Sequence, residues 1–302
     1  EAWEKLSQLE PDVLTLDVEM PRMNGIEFLK RLMPQHPMPV VVVSAADGAV
    51  FEALRAGAVD FVAKPDQKAG RSLDFFLREL IIKIKIASTA KVGQVQKKGT
   101  HLRTNERTGK SIPNLVIAIG ASTGGTEAVF NILKVLPRRM PGILVVQHMP
   151  PIFTRMYAER LNDSCALEVK EAENHDKVQP GTVLIAPGDY HLRLKKSGQE
   201  YFVQCFTGEK VNGHCPSVDI LFQSVADYAG SEAIGIILTG MGNDGVKGLL
   251  AMRKKGACTI GQDEKTSIVY GMPKAAYELG AVERQVSLDQ IPNVLYSLIA
   301  GW

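Results

Sequence analysis

Short, strongly apolar runs alternate with helical stretches along this chain, and this alternation constrains its fold more than any other feature. Val40–Val43 is an unbroken β-branched run, and Val116–Ile119 and Ile143–Val146 are similar apolar runs later in the sequence. Such runs are typical of parallel strands that are covered on both faces. Strands that alternate with helices imply a parallel, doubly wound sheet, so we predict an α/β fold.

The alternation occurs in two series, and a segment of different composition separates them. Residues 87–112 contain few large apolar side chains and many of Lys, Gln, Thr, Gly and Arg. This composition is typical of a flexible tether. The sequence therefore predicts two doubly wound domains, residues 1–86 and residues 113–302, joined by this linker.

Turn signals set several local predictions. Gly25–Met33 is predicted to be a helix that stops at Pro34, because proline interrupts the hydrogen bonding of a helix. Val183–Ala186 and Tyr201–Val203 are predicted to be shorter strands between turns, arranged like a hairpin.

The composition excludes several classes of protein. The net charge of +2 and the pI of about 8.3 are far below those of a nucleic-acid-binding domain, and the linker lacks aromatic rings to stack on bases. No apolar run approaches the ~18 residues that span a bilayer, and the first residues do not form a signal peptide. The four cysteines include no C-x-x-C pair, so we predict no zinc site and a cytoplasmic protein with reduced thiols.

Three polar side chains end the three predicted strands of the first domain. Asp17, Ser44 and Lys64 follow successive apolar runs, and the carboxyl ends of parallel strands meet at one edge of the sheet. A phosphorylated Asp17 would need a lysine to neutralise the phosphoryl group and a hydroxyl to hydrogen-bond it. An ordinary ion pair between Asp17 and Lys64 is an equally good interpretation of the spacing.

Three loops of the second domain each follow an apolar run and carry one reactive side chain. Ser122 lies in Gly120–Gly125, which fits Gly-x-Ser-x-Gly, His148 follows the next run, and Asp244 lies in Gly240–Gly245. A serine, a histidine and an aspartate at the ends of parallel strands form the layout of a hydrolase triad. In this interpretation serine is the nucleophile, histidine its base and aspartate the acid that orients the histidine.

Both glycine loops also fit nucleotide binding. Gly120–Gly125 is suited to cradle phosphate, with Ser122 as a helix N-cap. Gly240–Gly245 matches the G-x-G-x-x-G dinucleotide pattern, with Asp263 roughly 20 residues further on. The Asp244 carboxylate would repel a pyrophosphate in that loop, and this favours the triad.

His148 is favoured as the base because its strand is predicted to adjoin that of Ser122. His214, after an Asn-Gly pair, is a weaker candidate for a substrate contact. The remaining histidines are placed in loops or surface turns: His36, His101, His175 and His191.

The first domain carries Leu-Asp-Val-Glu-Met-Pro-Arg-Met-Asn-Gly, then Ser-Ala, then Lys-Pro. Over residues 1–86 these motifs resemble the receiver domain of bacterial response regulators, a flavodoxin-like fold. The resemblance implies that Asp17 is the phosphoacceptor, Ser44 the switch hydroxyl and Lys64 the lysine that contacts the phosphoryl group.

A receiver begins with strands that carry an acidic Mg²⁺-binding pair, and the sequence given lacks both these strands and an initiator methionine. A hard cation needs several oxygen ligands, so Asp17 alone is a poor site. We expect the sequence to begin inside a longer gene product whose intact receiver uses Mg²⁺ for phosphorylation. This partial receiver is expected to autophosphorylate inefficiently and to expose the edge of its first strand.

The second domain carries Ile-Gly-Ala-Ser-Thr-Gly-Gly-Thr, Val-Gln-His-Met and Ile-Leu-Thr-Gly-Met-Gly-Asn-Asp-Gly. With the receiver and linker in front, the chain resembles the chemotaxis protein-glutamate methylesterases of the CheB family. The resemblance implies a Rossmann-like catalytic domain with the triad Ser122, His148 and Asp244. It also implies that the Met241 backbone N–H holds the oxyanion, and that catalysis needs no metal or cofactor.

The same resemblance implies the biological setting. Methyl-accepting chemotaxis receptors would be the substrates, losing glutamate methyl esters and some glutamine amides, and a chemotaxis histidine kinase would be the phosphodonor. The enzyme would be cytoplasmic and would meet the membrane only through its receptors. Phosphorylation of the receiver would release an inhibited esterase cleft by shifting a two-state equilibrium.

Overall fold

The computed structural model divides the chain into two compact units, Glu1–Gln96 and Lys97–Trp302. The residues it describes are 2–21, 23–45, 48–65, 72–93 and 114–301. Most of the predicted linker lies outside these ranges, and the predicted domain boundaries stay predictions.

The N-terminal unit is built on a three-stranded parallel sheet in the order β1-β2-β3. The central strand is the β-branched run found in the sequence, and its first three valines are completely buried. The elements are α1 (Ala2–Leu9), β1 (Leu14–Asp17), α2 (Gly25–Gln35), β2 (Val40–Ser44), α3 (Ala49–Arg55), β3 (Asp60–Ala63) and α4 (Leu73–Ala87).

Helix α2 extends past Pro34 to Gln35, so the prediction that it stops at Pro34 is wrong. The proline lies in the last turn, and the His36 N–H beyond it still donates to the Leu32 carbonyl at 2.7 Å. A proline this close to the end removes one hydrogen bond without ending the helix before it.

The C-terminal unit is built on a seven-stranded parallel sheet in the order β12-β11-β10-β4-β5-β7-β6. Its strands are β4 (Val116–Ala121), β5 (Gly142–Gln147), β6 (Glu168–Glu171), β7 (Thr182–Ile185), β10 (Ala233–Ile237), β11 (Cys258–Gln262) and β12 (Arg284–Val286). Its helices are α5 (Gly125–Leu133), α6 (Phe153–Ser164), α7 (Val218–Tyr228), α8 (Val246–Lys254), α9 (Met272–Glu278) and α10 (Ile291–Ala300), with a 3₁₀ turn at Gly230–Glu232.

Both faces of the central strand β4 are covered. Val116 and Ala118 join the core formed with α7 and α8, while the alternate residues Ile117 and Ile119 are also completely buried. Alternate residues of a strand point to opposite faces, so layers lie on both sides of this sheet. The chain runs outward from β4 to β5 on one side and later to β10 on the other, which makes the end of β4 a switch point where ligands bind in such sheets.

The strand predicted at Val183–Ala186 is not part of a hairpin. It corresponds to β7, which pairs in parallel with both β5 and β6 inside the large sheet. The hairpin is formed by β8 (His191–Ser197) and β9 (Glu200–Phe206) instead. The prediction was wrong because a short apolar run between turns does not reveal which strand it pairs with.

The predicted α/β class, with two sheets of parallel strands and helical crossovers, is confirmed. None of the helices in the described ranges is both long enough and apolar enough to cross a membrane.

Candidate active site

The parallel register places the serine and histidine loops side by side. Ala121 is paired with Gln147 at the ends of β4 and β5, so Ser122 and His148 are the next residues of neighbouring strands. The His148 N–H donates to the Ala121 carbonyl at 3.1 Å, which continues the ladder by one step. The prediction that these two strands adjoin is therefore confirmed by the pairing.

Ser122 lies in a tight turn between β4 and α5. Its carbonyl accepts a hydrogen bond from the Gly125 N–H at 2.7 Å, and Gly124 has a left-handed backbone with φ of 76°. Glycine suits this position because it has no Cβ to clash in that conformation. The Ser122 N–H donates to the Thr239 carbonyl at 3.0 Å, which ties the turn to the end of β10.

The third loop approaches the serine very closely at Gly240. A Cβ atom on this glycine would lie 2.6 Å from Cβ of Ser122 and 2.5 Å from Sδ of Met272. Only glycine fits this contact without movement of its neighbours. Met241 is the next residue after this contact.

The Gln147 side chain contacts the backbones of both the serine loop and the histidine loop. This residue was not identified from the sequence. Its buried Nε2 lies 3.0 Å from the Ser122 carbonyl and 3.3 Å from the His148 carbonyl. Its Oε1 has no hydrogen-bond partner among the described residues and faces Gly125, where a Cβ would lie 2.3 Å away. The residue lies in the Val-Gln-His-Met motif, which is the one signal that pointed near it.

Asp244 is buried, with 1% of its side chain exposed, and its Oδ2 lies 2.9 Å from Nε2 of His148. A carboxylate can only accept a hydrogen bond, so Nε2 carries the proton. The other ring nitrogen, Nδ1, is buried and has no partner within the described ranges. Nδ1 is thus the ring nitrogen that the aspartate does not engage.

Asp244 also lies at the amino-terminal end of α7. It accepts hydrogen bonds from the backbone N–H groups of Val218 at 2.7 Å and Asp219 at 3.3 Å, and from Oγ of Ser217 at 2.7 Å. Burial alone would raise the pKa of this carboxyl, but hydrogen bonds and the nearby His148 outweigh burial and hold its pKa well below the usual range. Asp244 therefore stays ionised.

A turn formed by Val211–His214 covers the histidine, and sequence reasoning gave it only a minor place. The His214 ring stacks on the His148 ring with centroids 3.7 Å apart and an angle of 7° between planes. Asn212 Nδ2 donates to Oδ1 of Asp244 at 2.9 Å and to Oδ2 of Asp219 at 2.8 Å. The Asn-Gly pair signalled a turn but could not show where the turn lies.

Asp219 is a second carboxylate of this cluster. Burial raises its pKa, a hydrogen bond from the Gly248 N–H lowers it, and the charge of Asp244 raises it again. Asn212 links the two carboxyl groups, so the turn, the helix end and the acid form one hydrogen-bonded unit.

His191 is not in a surface turn, as the sequence suggested, but is buried at the start of β8. Its Nδ1 accepts the Ser217 N–H at 3.2 Å and its Nε2 lies 2.9 Å from the Glu209 carbonyl. One nitrogen accepts and the other donates, so the ring is neutral and supports the loop that carries Ser217. The sequence did not indicate that His191 is buried, because one inward-facing residue at the start of a strand produces no periodic pattern.

The residues of the alternative dinucleotide interpretation make other contacts. Asp263, the acid that follows the glycine loop in the dinucleotide pattern, accepts a hydrogen bond from the N–H of Thr266 at 3.0 Å in a local turn. Both carboxylate oxygens of Asp244 are hydrogen-bonded within the protein, Oδ2 to the His148 ring and Oδ1 to Ser217. No group of three or more potential metal ligands of the His, Cys, Asp and Glu types occurs in the described parts of the chain.

In the N-terminal unit, Asp17, Ser44 and Lys64 meet at one sheet edge as predicted by the strand order. Nζ of Lys64 lies 2.9 Å from Oδ1 of Asp17 and 3.2 Å from Oε2 of Glu19. The hydrogen bond to Asp17 is the main cause that raises the pKa of Lys64. Ser44 is buried and ends β2, and its carbonyl accepts the Lys64 N–H at 2.8 Å.

Two family models match the chain. A model described as CheB methylesterase matches residues 117–295, and one described as response regulator receiver domain matches residues 1–71. The first covers more than half of the chain and includes all three loops of the site.

Similar curated and solved proteins agree with these matches. The chain is 60% identical over 298 residues to protein-glutamate methylesterase/protein-glutamine glutaminase 2 of Syntrophomonas wolfei, covering 99% of this chain and 87% of that protein. It is 50% identical over 308 residues to protein-glutamate methylesterase/protein-glutamine glutaminase of Syntrophotalea carbinolica, covering 99% of this chain and 87% of that protein. The crystal structure of the Thermotoga maritima CheB methylesterase catalytic domain superposes with a TM-score of 0.60 at 41% identity, covering 61% of this chain and 98% of that one.

These matches confirm the predicted family and class of enzyme. The chain belongs to the CheB methylesterase family, in a form that joins a receiver domain to the methylesterase domain.

Proposed function

We propose that this enzyme hydrolyses glutamate methyl esters on methyl-accepting chemotaxis receptors, and deamidates some of their glutamines, during chemotactic adaptation. The names of the relatives, which give both a methylesterase and a glutaminase activity, support the two reactions. The observation that carries the assignment of residues is the buried His148–Asp244 pair, at the sheet edge that it shares with Ser122.

Ser122 is the nucleophile and His148 its general base. Serine attacks poorly until a base removes its proton, and Nδ1 is the ring nitrogen that the aspartate leaves available for this step. Asp244 holds the opposite nitrogen and stabilises the imidazolium that forms. In this arrangement the aspartate binds Nε2, the reverse of the ring orientation in the serine proteases of the chymotrypsin type.

The tetrahedral intermediate places negative charge on the former carbonyl oxygen, and the Met241 N–H is the proposed donor to it. No described residue accepts a hydrogen bond from this N–H. It follows Gly240, whose backbone lies against Cβ of Ser122. The proposal is supported by this proximity and by the family motif.

Collapse of the intermediate breaks the bond to the leaving group. The imidazolium returns its proton to the departing methoxide, or to the amide nitrogen of glutamine, so methanol or ammonia leaves. Water then attacks the acyl-enzyme with His148 again as base, and glutamate is released with Ser122 restored. These steps balance without a metal or cofactor, and none is proposed for catalysis.

The receiver is proposed to control this esterase. Asp17, in reach of Lys64 and at the same edge as Ser44, would accept a phosphoryl group from a chemotaxis histidine kinase, and this would relieve inhibition of the cleft. Among the described residues, Asp17 and Glu19 both contact the Lys64 ammonium, and no group of three or more potential metal ligands lies around them. No step is therefore assigned to a metal here.

The esterase proposal is tested by methanol release from membranes that carry methylated receptors. Ser122→Ala should abolish release, whereas Ser197→Ala, at an exposed serine at the end of β8, should behave as the wild type. Activity of the Ser122→Ala protein at the wild-type level would refute the assignment.

The control by the receiver is tested separately. A protein consisting of residues 111–302 should release methanol faster than the longer unphosphorylated protein. Equal rates would rule out inhibition by the receiver and leave the triad proposal intact.

A further inference from the structure

The Val211–His214 segment is a two-residue hairpin turn with a well-defined geometry. The Val211 N–H donates to the His214 carbonyl at 3.0 Å and the His214 N–H donates back at 2.9 Å. Asn212 and Gly213 have φ of 53° and 84°, the left-handed pair that an Asn-Gly turn of this type requires. The position of His214 is therefore fixed by the backbone.

One hydrogen bond does not fix the plane of a histidine ring. The ring torsion of histidine has broad minima, so the contact between Nε2 and Asp244 anchors one edge of His148 but does not set the tilt of its plane. The His214 ring, 3.7 Å away and within 7° of parallel, covers one face of His148 and restricts that tilt.

The charge state of His214 suits this contact. Burial and the adjacent His148 lower the pKa of His214 to about 4, with Asp244 acting in the opposite direction and Lys210 in the same one. The ring is therefore uncharged near neutral pH. A charged ring at this spacing would repel the imidazolium that His148 becomes during the reaction.

The turn and the acid are also connected directly. Asn212 donates to Oδ1 of Asp244, the carboxylate whose other oxygen binds His148. The same amide donates to Asp219, which accepts the Gly248 N–H at 2.7 Å. The turn that carries the stacked ring is thus anchored to the group that orients the base.

We propose that His214 is a positioning residue of the esterase: its uncharged ring, presented by the Asn212–Gly213 turn, holds the His148 ring in the plane in which it can take the serine proton. This inference rests on the proposed function and goes beyond it by giving a second histidine a role through the first. His214 supplies a flat apolar surface and no proton.

Three variants of the full chain separate this role from its rivals. His214→Phe keeps a flat ring without nitrogen atoms, His214→Gln keeps a polar side chain without a ring, and His214→Ala removes both. The positioning role predicts that kcat for methanol release falls about 10-fold or more in the Ala and Gln variants, with KM unchanged, because alignment of reacting groups is lost. The Phe variant should remain within about threefold of the wild type by the same argument.

The matched control is His175→Asn, at an exposed histidine of the same unit that stacks on Phe202 with centroids 6.0 Å apart. Its left-handed φ of 68° suits asparagine, and its kcat should not change. If His214→Ala does not fold, the comparison of the Phe and Gln variants still decides the question.

Each other outcome overturns the inference. A wild-type kcat in the Gln variant would show that the stacked ring is unnecessary, and a Phe variant as slow as the Gln variant would show that the nitrogen atoms matter. A raised KM with unchanged kcat would make His214 a substrate contact. Ser122→Ala, measured in the same assay, distinguishes these failures from failure of the proposed function, because its retained activity alone would refute both.

Discussion

Two sheet edges of this protein place a carboxylate beside a basic side chain at the same distance, and they differ in their exposure to solvent. In the N-terminal unit, Asp17 and Lys64 are 2.9 Å apart with 41% and 30% of their side chains exposed. In the C-terminal unit, Asp244 and His148 are also 2.9 Å apart, but only 1% and 7% are exposed.

The difference in burial fits the different roles proposed for Asp17 and Asp244. The exposed Asp17 carboxylate is accessible to a phosphodonor. Its ion pair with Lys64 contributes little to the stability of the fold, because solvent screens the two charges. The buried Asp244 carboxylate is surrounded by donors and cannot be modified or reoriented without loss of those contacts. A buried acid that stays ionised is suited to orient a base.

The largest contrast is expected between matched substitutions at the two acids. Asp244→Asn should lower kcat by about 10⁴-fold, because the asparagine cannot hold His148 in the required tautomer. It should also destabilise the C-terminal unit by about 1–3 kcal/mol through unsatisfied donors at the start of α7. Asp17→Asn should leave the unphosphorylated rate unchanged, and equal effects of the two changes in a methanol-release assay would remove the distinction.

The second effect concerns the close approach of backbone to nucleophile. Gly240→Ala places a Cβ 2.6 Å from Cβ of Ser122. The displacement should lower kcat by about 100-fold, since small misplacements are costly in aligned sites. Gly48→Ala is the control, because a Cβ there would meet nothing within 4 Å. Steady-state kinetics of the two variants measure the effect, and an unimpaired Gly240→Ala enzyme would contradict the account.

A smaller effect on kcat is expected at Gln147, which supports the loops of Ser122 and His148. Gln147→Leu removes the amide that joins the Ser122 and His148 carbonyls, and kcat should fall about 10-fold with little change in KM. Gln223→Leu, at an exposed glutamine of α7, should have no such effect. A KM change alone at position 147 would indicate a substrate contact instead.

The smallest effect is the dependence of stability on pH. Because the folded pKa of Asp244 lies below its unfolded value of about 3.9, its contribution is present above that pH and is lost as pH falls further. The pKa of Lys64 is raised in the folded protein. Its contribution to stability is therefore present below about pH 10.4 and is lost as the pH rises through the folded pKa. Urea midpoints of wild type and Asp244→Asn should differ by a constant amount from pH 5 to 8 and converge below about pH 4. A gap that persists at the acid end would mean that the charge of Asp244 does not stabilise the fold.

Local chemistry explains which parts of the site the sequence could predict. Ser122, His148 and Asp244 each follow a buried apolar strand, so their meeting at one edge follows from the parallel order of the strands. Burial of β4 and β5 was equally visible as unbroken apolar runs.

The supporting residues could not be predicted because tertiary packing brings them to the site. Asn212, His214 and Ser217 come from a long connection between β9 and α7, which has no periodic pattern. In the sequence, His191 is one polar residue at the start of β8. Its burial in the structure depends on contacts with the same connection between β9 and α7. The pairing of β7 with β5 and β6 likewise depends on distant residues.

The most direct measurement is to identify the side chain that a fluorophosphonate reagent modifies in the intact protein. Mass spectrometry of the digested adduct should find the reagent on Ser122, and His148→Ala should slow its formation by about 100-fold or more because the base is lost. An adduct on another side chain, or equal labelling rates with and without His148, would contradict the proposal that Ser122 is activated by the buried pair.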